Sequence, residues 1–228
     1  MTPLRVGEVH LTQEPPRLLR VVVRDRSLEP LAPRRRLAQL PAQPAQKAYG
    51  GLVRHDVESY RPMDTFLAIA SRREVRDYEP RALPPEVEER ILDAGRLAGS
   101  SKNRQPWRFD VVPGELLADL VYEPTNLRGA PFVVAIVVRG KGPISFDAGR
   151  AAENMLLAAW NEGVGSCPNA IADEPAARAV LALDDEEKIA IVLSFGYPAK
   201  PRDPESRSAA EWSARANRRP LQESVRRQ

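Results

Sequence analysis

Two short segments constrain the fold of this chain more than any others, PFVVAIVV at 131–138 and KIAIVLSFG at 188–196. A strand with one wet face alternates apolar and polar side chains. These runs are apolar almost throughout, so both of their faces must be covered. WRFDV at 107–111 alternates instead, as a half-buried strand does. Helical patterns surround them. Residues 84–98 open with Pro84 and Pro85, carry Glu86, Glu88 and Glu89 near the positive end of the helix dipole, and place Val87, Ile91, Ala94 and Ala98 on one stripe before Gly99. Asp64 can cap a short helix bearing Phe66, Leu67 and Ile69. A longer helix is predicted from Asp147 to about Asn161, ending at Gly163, and a shorter one over about 174–182 with Asp173 as its cap. With three clear strands among these helices, the expectation is a mixed sheet covered by helices, not a regular parallel winding.

Residues 1–62 read differently. They hold 8 of the chain's 22 prolines, the run Arg34-Arg35-Arg36 and the biased piece LPAQPAQKA. No helical or strand period persists there, so too few apolar groups exist to offset the entropy of ordering. We expect a disordered basic extension, or a true start at Met63. The organised domain is expected over 63–228. The charge follows the same division. Residues 1–62 have 11 basic and 6 acidic side chains, and the remainder has 23 and 25. A body with no basic excess argues against nucleic acid as its partner. No apolar run reaches the length of a transmembrane helix, about 18 residues or more, and the N-terminus lacks a secretory pattern. The expectation is a cytoplasmic protein without a membrane partner.

The inventory of reactive side chains is thin. There are 2 histidines, His10 and His55, and 1 cysteine, Cys167. From residue 56 onward, Ser-His-Asp hydrolysis, Cys-His chemistry and His-ligated metals are excluded by inventory. No metal site is expected, and an enzyme built on this body needs a cofactor.

Three polar segments interrupt the folded pattern. Ser71-Arg72-Arg73-Glu74-Val75-Arg76 places three guanidinium groups within five residues, which suits a phosphate as well as it suits a solvated turn. Gly99-Ser100-Ser101-Lys102-Asn103-Arg104-Gln105-Pro106-Trp107 offers hydroxyls and side-chain amides, and amides can read the edge of a heterocycle. Taken alone it is an ordinary helix–strand loop. Gly163-Val164-Gly165-Ser166-Cys167-Pro168-Asn169-Ala170 allows close backbone approach, as a tight helix–strand connection also would. It is not a dinucleotide fingerprint, since it lacks the third glycine and follows a helix. Without a histidine to activate it, Cys167 reads as a structural thiol.

Together these segments, with Arg218-Arg219-Pro220-Leu221 near the C-terminus, resemble the FMN-dependent nitroreductase family. The resemblance runs from Met63 to Leu221, and SSKNRQPW is its most specific piece. It implies an α+β fold, usually an intertwined homodimer with FMN in the dimer interface. By the same resemblance Arg72, Arg73 and Arg76 match the cluster that holds the FMN phosphate and the pyrimidine side of the flavin. Ser100, Ser101, Asn103 and Gln105 match the loop that touches the ribityl chain and isoalloxazine. Pro168, Asn169 and Ala170 match the segment whose backbone faces flavin N5. Arg218, assisted by Arg219, matches a C-terminal basic residue at the phosphate. The implied activity carries hydride from NAD(P)H through the flavin to an electron-poor acceptor such as a nitroaromatic, a quinone or an activated alkene. No side chain is assigned a catalytic role, because the flavin carries the chemistry.

The chain departs from the family pattern at Glu74, where Ser is usual, and in the short stretches 108–128 and 139–146, where many members carry covering helices. A related flavin-fragmenting group has an acid at the position of Glu74, but its loop lacks the Asn-x-Gln pattern. The alternatives are such a specialised member, a dehalogenase among them, or a non-catalytic flavin-binding or regulatory protein whose basic arm contacts a partner.

Overall fold

A computed structural model describes residues 63–228, and the expectations for 1–62 lie outside the described residues. The described chain divides into two units, residues 72–203 and residues 63–71 with 204–228.

The first unit begins with an extended segment and then helix α2 (Pro85–Arg96), which follows the short α1 (Thr65–Ser71) of the second unit. Strand β1 (Trp107–Val111) leads through helical turns and the four-residue α3 (Thr125–Arg128) to β2 (Phe132–Arg139). Then come α4 (Ile144–Asn161), β3 (Gly165–Asn169), α5 (Glu174–Val180) and β4 (Glu187–Gly196). The strands form one sheet in the order β1-β2-β4-β3, each antiparallel to its neighbours. The α+β arrangement of a sheet covered by helices is as expected, but the sheet is antiparallel where the sequence suggested a mixed one; an isolated parallel bridge, Glu74 beside Ser166, lies outside the named strands.

The apolar run at 131–138 is now explained. Phe132, Val134, Ile136 and Val138 point to one face, where they pack with Val87 and Ile91 of α2 and with Ala148, Ala152, Met155 and Leu156 of α4. Val133, Ala135 and Val137 point to the other, against Leu117, Leu127, Ala177 and Leu181. Burying each of the larger side chains contributes about 1.5–3 kcal/mol. The central strand is thus covered twice, and a layer of helices holds the sheet from each side.

Three boundaries differ from expectation, the first being that α2 ends at Arg96, so that Ala98 of the expected stripe lies beyond it. Helix α4 starts at Ile144, before Asp147, because Pro143 supplies the first acceptor, taking the Asp147 N–H at 2.9 Å. The Gly163–Ala170 segment is not merely a connection. Its middle forms β3, with pairing to β4 imposing strand geometry on a sequence that lacks strand propensity. Asp173 caps α5 as expected, accepting the Ala176 N–H at 3.1 Å.

In the second unit Asp64 caps α1, accepting the Leu67 N–H at 2.9 Å. Helix α6 (Ala209–Arg215) packs against α1 and begins with a reciprocal capping box of Ser208 and Glu211. Those hydrogen bonds hold the Glu211 carboxyl below its ordinary range. The Trp212 indole N–H donates to the Pro204 carbonyl at 2.7 Å. A last short helix, α7 (Leu221–Ser224), follows.

Candidate functional site

Helix α4 is the spine to which the predicted site residues of the first unit attach. Near its start lies Asp147, a buried carboxylate. Six residues later, about 9 Å along the axis, lies Glu153, which faces Arg72 at 3.7 Å. The chain then leaves α4 through Gly163 (φ +74) directly into β3.

The arginine segment is held in extended form beside β3. The Val75 N–H donates to the Ser166 carbonyl at 3.0 Å. The approach is close enough that a Cβ on Gly165 would stand 2.6 Å from the Cβ of Val75, so this position must be glycine. Further along, Glu79 and Ala199 exchange backbone bonds with Tyr197 and Asp77. Within the segment, Arg73 donates to the Arg72 carbonyl at 2.8 Å. The Glu74 carboxylate, whose role the sequence left open, is paired with the Arg76 guanidinium.

Two polar atoms at this junction are buried and without a hydrogen-bond partner, Nη1 of Arg72 and Oγ of Ser166. A guanidinium N–H left without an acceptor costs free energy. A phosphate or a polar ligand edge would supply what is missing, so the donor set fits a phosphate-bearing cofactor.

The serine-rich loop is rigid in a different way. Lys102, Asn103 and Gln105 all have left-handed backbones, with φ of 54°, 54° and 49°. Such conformations are disfavoured for residues other than glycine, and they persist only where the surroundings enforce them. Here the Ser100 hydroxyl accepts the Gln105 N–H at 2.8 Å, and the Ser101 N–H donates to Asp147 at 3.1 Å. The Gln105 side chain donates to Asn103 Oδ1 at 3.3 Å. Asn103, Gln105 and Lys102 are exposed, so the loop presents amides outward on a fixed frame.

At the end of β3, Pro168 is half-buried and Ala170 is exposed. The Asn169 side chain turns inward, donating to the Cys167 carbonyl at 2.9 Å and to Ser194 Oγ at 3.1 Å. Only its backbone is free to serve a ligand. Cys167 is buried, and burial pushes its thiol above the ordinary range despite the Arg76 guanidinium against it. A neutral thiol in such a place packs and does not attack.

The structure therefore gathers Arg72, Arg73, Glu74, Arg76, Pro168, Asn169 and Ala170 around the edge of β3, and ties Ser100, Ser101, Asn103 and Gln105 to α4. Arg218 and Arg219 lie exposed in the second unit, between α6 and α7. Sequence reasoning missed the supports beneath these residues, namely Asp147, Tyr78, Asn126 and Ser194. Ser194 had a faint signal, since it is a polar residue within a segment otherwise built for burial. Among the described residues, no group of three or more His, Cys, Asp or Glu side chains is placed to hold a metal ion, and no helix is long and apolar enough to cross a membrane.

Comparison with known proteins gives a consistent result. The nitroreductase family model matches residues 69–125 and 121–197, more than half of the chain. An Archaeoglobus fulgidus protein, provisionally named NADH dehydrogenase/NAD(P)H nitroreductase, is 32% identical over 149 residues, 59% of this chain and 86% of the relative. A nitroreductase family protein from Clostridium difficile has the same fold, with a TM-score of 0.62 at 24% identity, covering 72% of this chain and 98% of the other. A protein from Desulfovibrio desulfuricans, provisionally named a nitroreductase and solved in complex with FMN, aligns with a TM-score of 0.60 at 28% identity, over 73% of this chain and 98% of that one.

Proposed function

Because the chain belongs to the nitroreductase family, we propose that it is an FMN-dependent oxidoreductase that uses NAD(P)H to reduce an electron-poor acceptor such as a nitroaromatic, a quinone or an activated alkene. FMN, when bound, would supply the redox chemistry between NAD(P)H and the acceptor.

The observation that carries this reading is the buried Nη1 of Arg72, which has no hydrogen-bond partner, at the start of the arginine segment that runs along β3. In our reading Arg72 and Arg73 hold the cofactor phosphate. Paired guanidinium donors suit phosphate geometry and give charge-assisted hydrogen bonds. Glu74, already paired with Arg76, balances that cation on the pyrimidine side. The amides of Asn103 and Gln105 read the ribityl and ring edges, and the backbone of Pro168, Asn169 and Ala170 borders the reacting edge of the ring. The chain positions and desolvates, and solvent supplies protons, since no histidine lies in residues 63–228.

A homodimer belongs to the same proposal. On α4, Phe146 is 68% exposed and Gly149 has no neighbour within 4 Å of a Cβ placed on it; in the second unit Phe66 is 64% exposed. A second copy would cover these apolar groups. The test of the activity is oxidation of NADH or NADPH by FMN-loaded protein, with menadione or a nitroaromatic as acceptor. Turnover that requires both FMN and the acceptor supports the proposal, and loaded protein that consumes neither nucleotide refutes it.

A further inference from the structure

Beneath the proposed cofactor site runs a buried chain of hydrogen bonds that joins its two walls. Asn126 Nδ2 donates to Asn169 Oδ1 at 3.0 Å. Asn169 Nδ2 donates to Ser194 Oγ at 3.1 Å. Ser194 Oγ stands 3.0 Å from the Tyr78 hydroxyl, which in turn donates to the Val75 carbonyl at 2.6 Å. Tyr78 has a single proton, and the shortest contact takes it, so Ser194 is the donor in the bond between the two hydroxyls. The Val75 N–H then returns to β3 at the Ser166 carbonyl, 3.0 Å away. From Asn126 to the Val75 carbonyl donors and acceptors follow one direction, the arrangement in which each bond polarises the next, and Ser194 Oγ also lies 3.2 Å from the Cys167 carbonyl of β3. Every side chain in the chain is buried. Burial pushes the Tyr78 phenol above its ordinary range, so it stays protonated and remains a donor.

We propose that Tyr78, acting through Ser194 and Asn169, is a positioning residue that locks the Arg72–Arg76 segment to β3 and so fixes the separation between the arginine wall and the Pro168–Ala170 wall of the site. The proposal rests on the cofactor reading above only for what the two walls hold. The lock itself is a property of the protein without a ligand. Its logic is preorganisation. A guanidinium held in place before the ligand arrives loses no further freedom on binding, and the loss of one buried bond frees both walls.

The experiment compares full-length wild type with Tyr78→Phe and Ser194→Ala, and with Ile91→Val as a core control on α2. Amide hydrogen exchange is measured on the flavin-free proteins, and FMN affinity by quenching of flavin fluorescence. In both site variants, exchange should rise together at Val75 and across 165–170, by about 10-fold, while the amides of α2 and α4 hold their protection. FMN affinity should fall about 10-fold, the loss expected for one buried hydrogen bond. Ile91→Val should change neither. Faster exchange confined to residues 75–78, or spread evenly over the sheet, would overturn the proposal, as would an unchanged FMN affinity in both site variants. Wild type that binds no FMN would refute the cofactor reading, and the exchange result would then decide the lock on its own. If Tyr78→Phe fails to fold, Ser194→Ala decides both readouts by the same criteria.

Discussion

The backbone N–H of Ser101 donates to the buried carboxylate of Asp147 at 3.1 Å, joining the serine-rich loop to the first turns of α4 across 46 positions of sequence. That bond and the Ser100–Gln105 bond hold a loop whose backbone would not otherwise keep three left-handed residues. Replacing Asp147 by Ala leaves the Ser101 N–H without its acceptor. We expect a stability loss of about 1–3 kcal/mol. FMN affinity should fall as well, because the amides of Asn103 and Gln105 lose their frame. Denaturant titration and flavin fluorescence check the two effects separately.

Strain in the same loop can be relieved. Lys102 has φ 54°, its side chain is exposed, and no described contact requires it to be lysine. A left-handed residue other than glycine costs about 1–2 kcal/mol, of which the greater unfolded-state entropy of glycine returns part. Lys102→Gly should raise stability by about 0.5–1 kcal/mol with little change in FMN affinity. Thermal unfolding of the apoprotein provides the measurement.

Gly165 carries a cost of the opposite kind. A methyl group there would meet Val75 Cβ at 2.6 Å, and backbone held in a sheet cannot move aside freely. Gly165→Ala should destabilise by about 1–3 kcal/mol and push the arginine segment off β3. FMN release should therefore quicken beyond what the stability loss explains. Stopped-flow dissociation of FMN from the variant follows this directly.

The two buried acids beside β3 set an alkaline limit. Burial raises both Cys167 and Tyr78, so the folded state holds their protons more tightly than the unfolded state does. Their stabilising contribution is complete below the ordinary values of 9.0 and 10.0 and is lost as pH rises above them. Stability should decline from about pH 9 upward, and the decline should be shallower in Tyr78→Phe. For the same reason Cys167 should react slowly with thiol reagents in the native state at neutral pH, and Cys167→Ala should keep NAD(P)H oxidation. Urea titrations across the alkaline range and a timed alkylation test these points.

The architecture was legible where burial writes a period into the sequence. PFVVAIVV read as a strand covered twice, and Val87 and Ile91 as one helix face, which Gly95 completes, while Ala98 lies beyond the last helical residue, Arg96. β3 was not legible as a strand, because Gly165, Ser166 and Pro168 have no strand preference and owe their geometry to β4. The capping box of α6 was present as Ser208-x-x-Glu211, but the polar segment around it concealed the helix. For the proposed site, residue types drew notice to Arg72 and the Asn103–Gln105 loop, both of which lie at element ends. Their supports were not legible. Tyr78, Ser194 and Asp147 act on partners 46 to 116 positions away, and no local pattern records such a pairing.

The central claim is that Arg72 and its neighbours hold the phosphate of FMN. The most direct measurement is the visible spectrum of the purified full-length protein and its Arg72→Ala variant, after incubation with FMN and removal of free flavin. Wild type should emerge yellow with stoichiometric FMN, and Arg72→Ala should lose most of the bound flavin while keeping its fold. Colourless wild type, or an Arg72→Ala variant that retains FMN as tightly as wild type, would contradict the account.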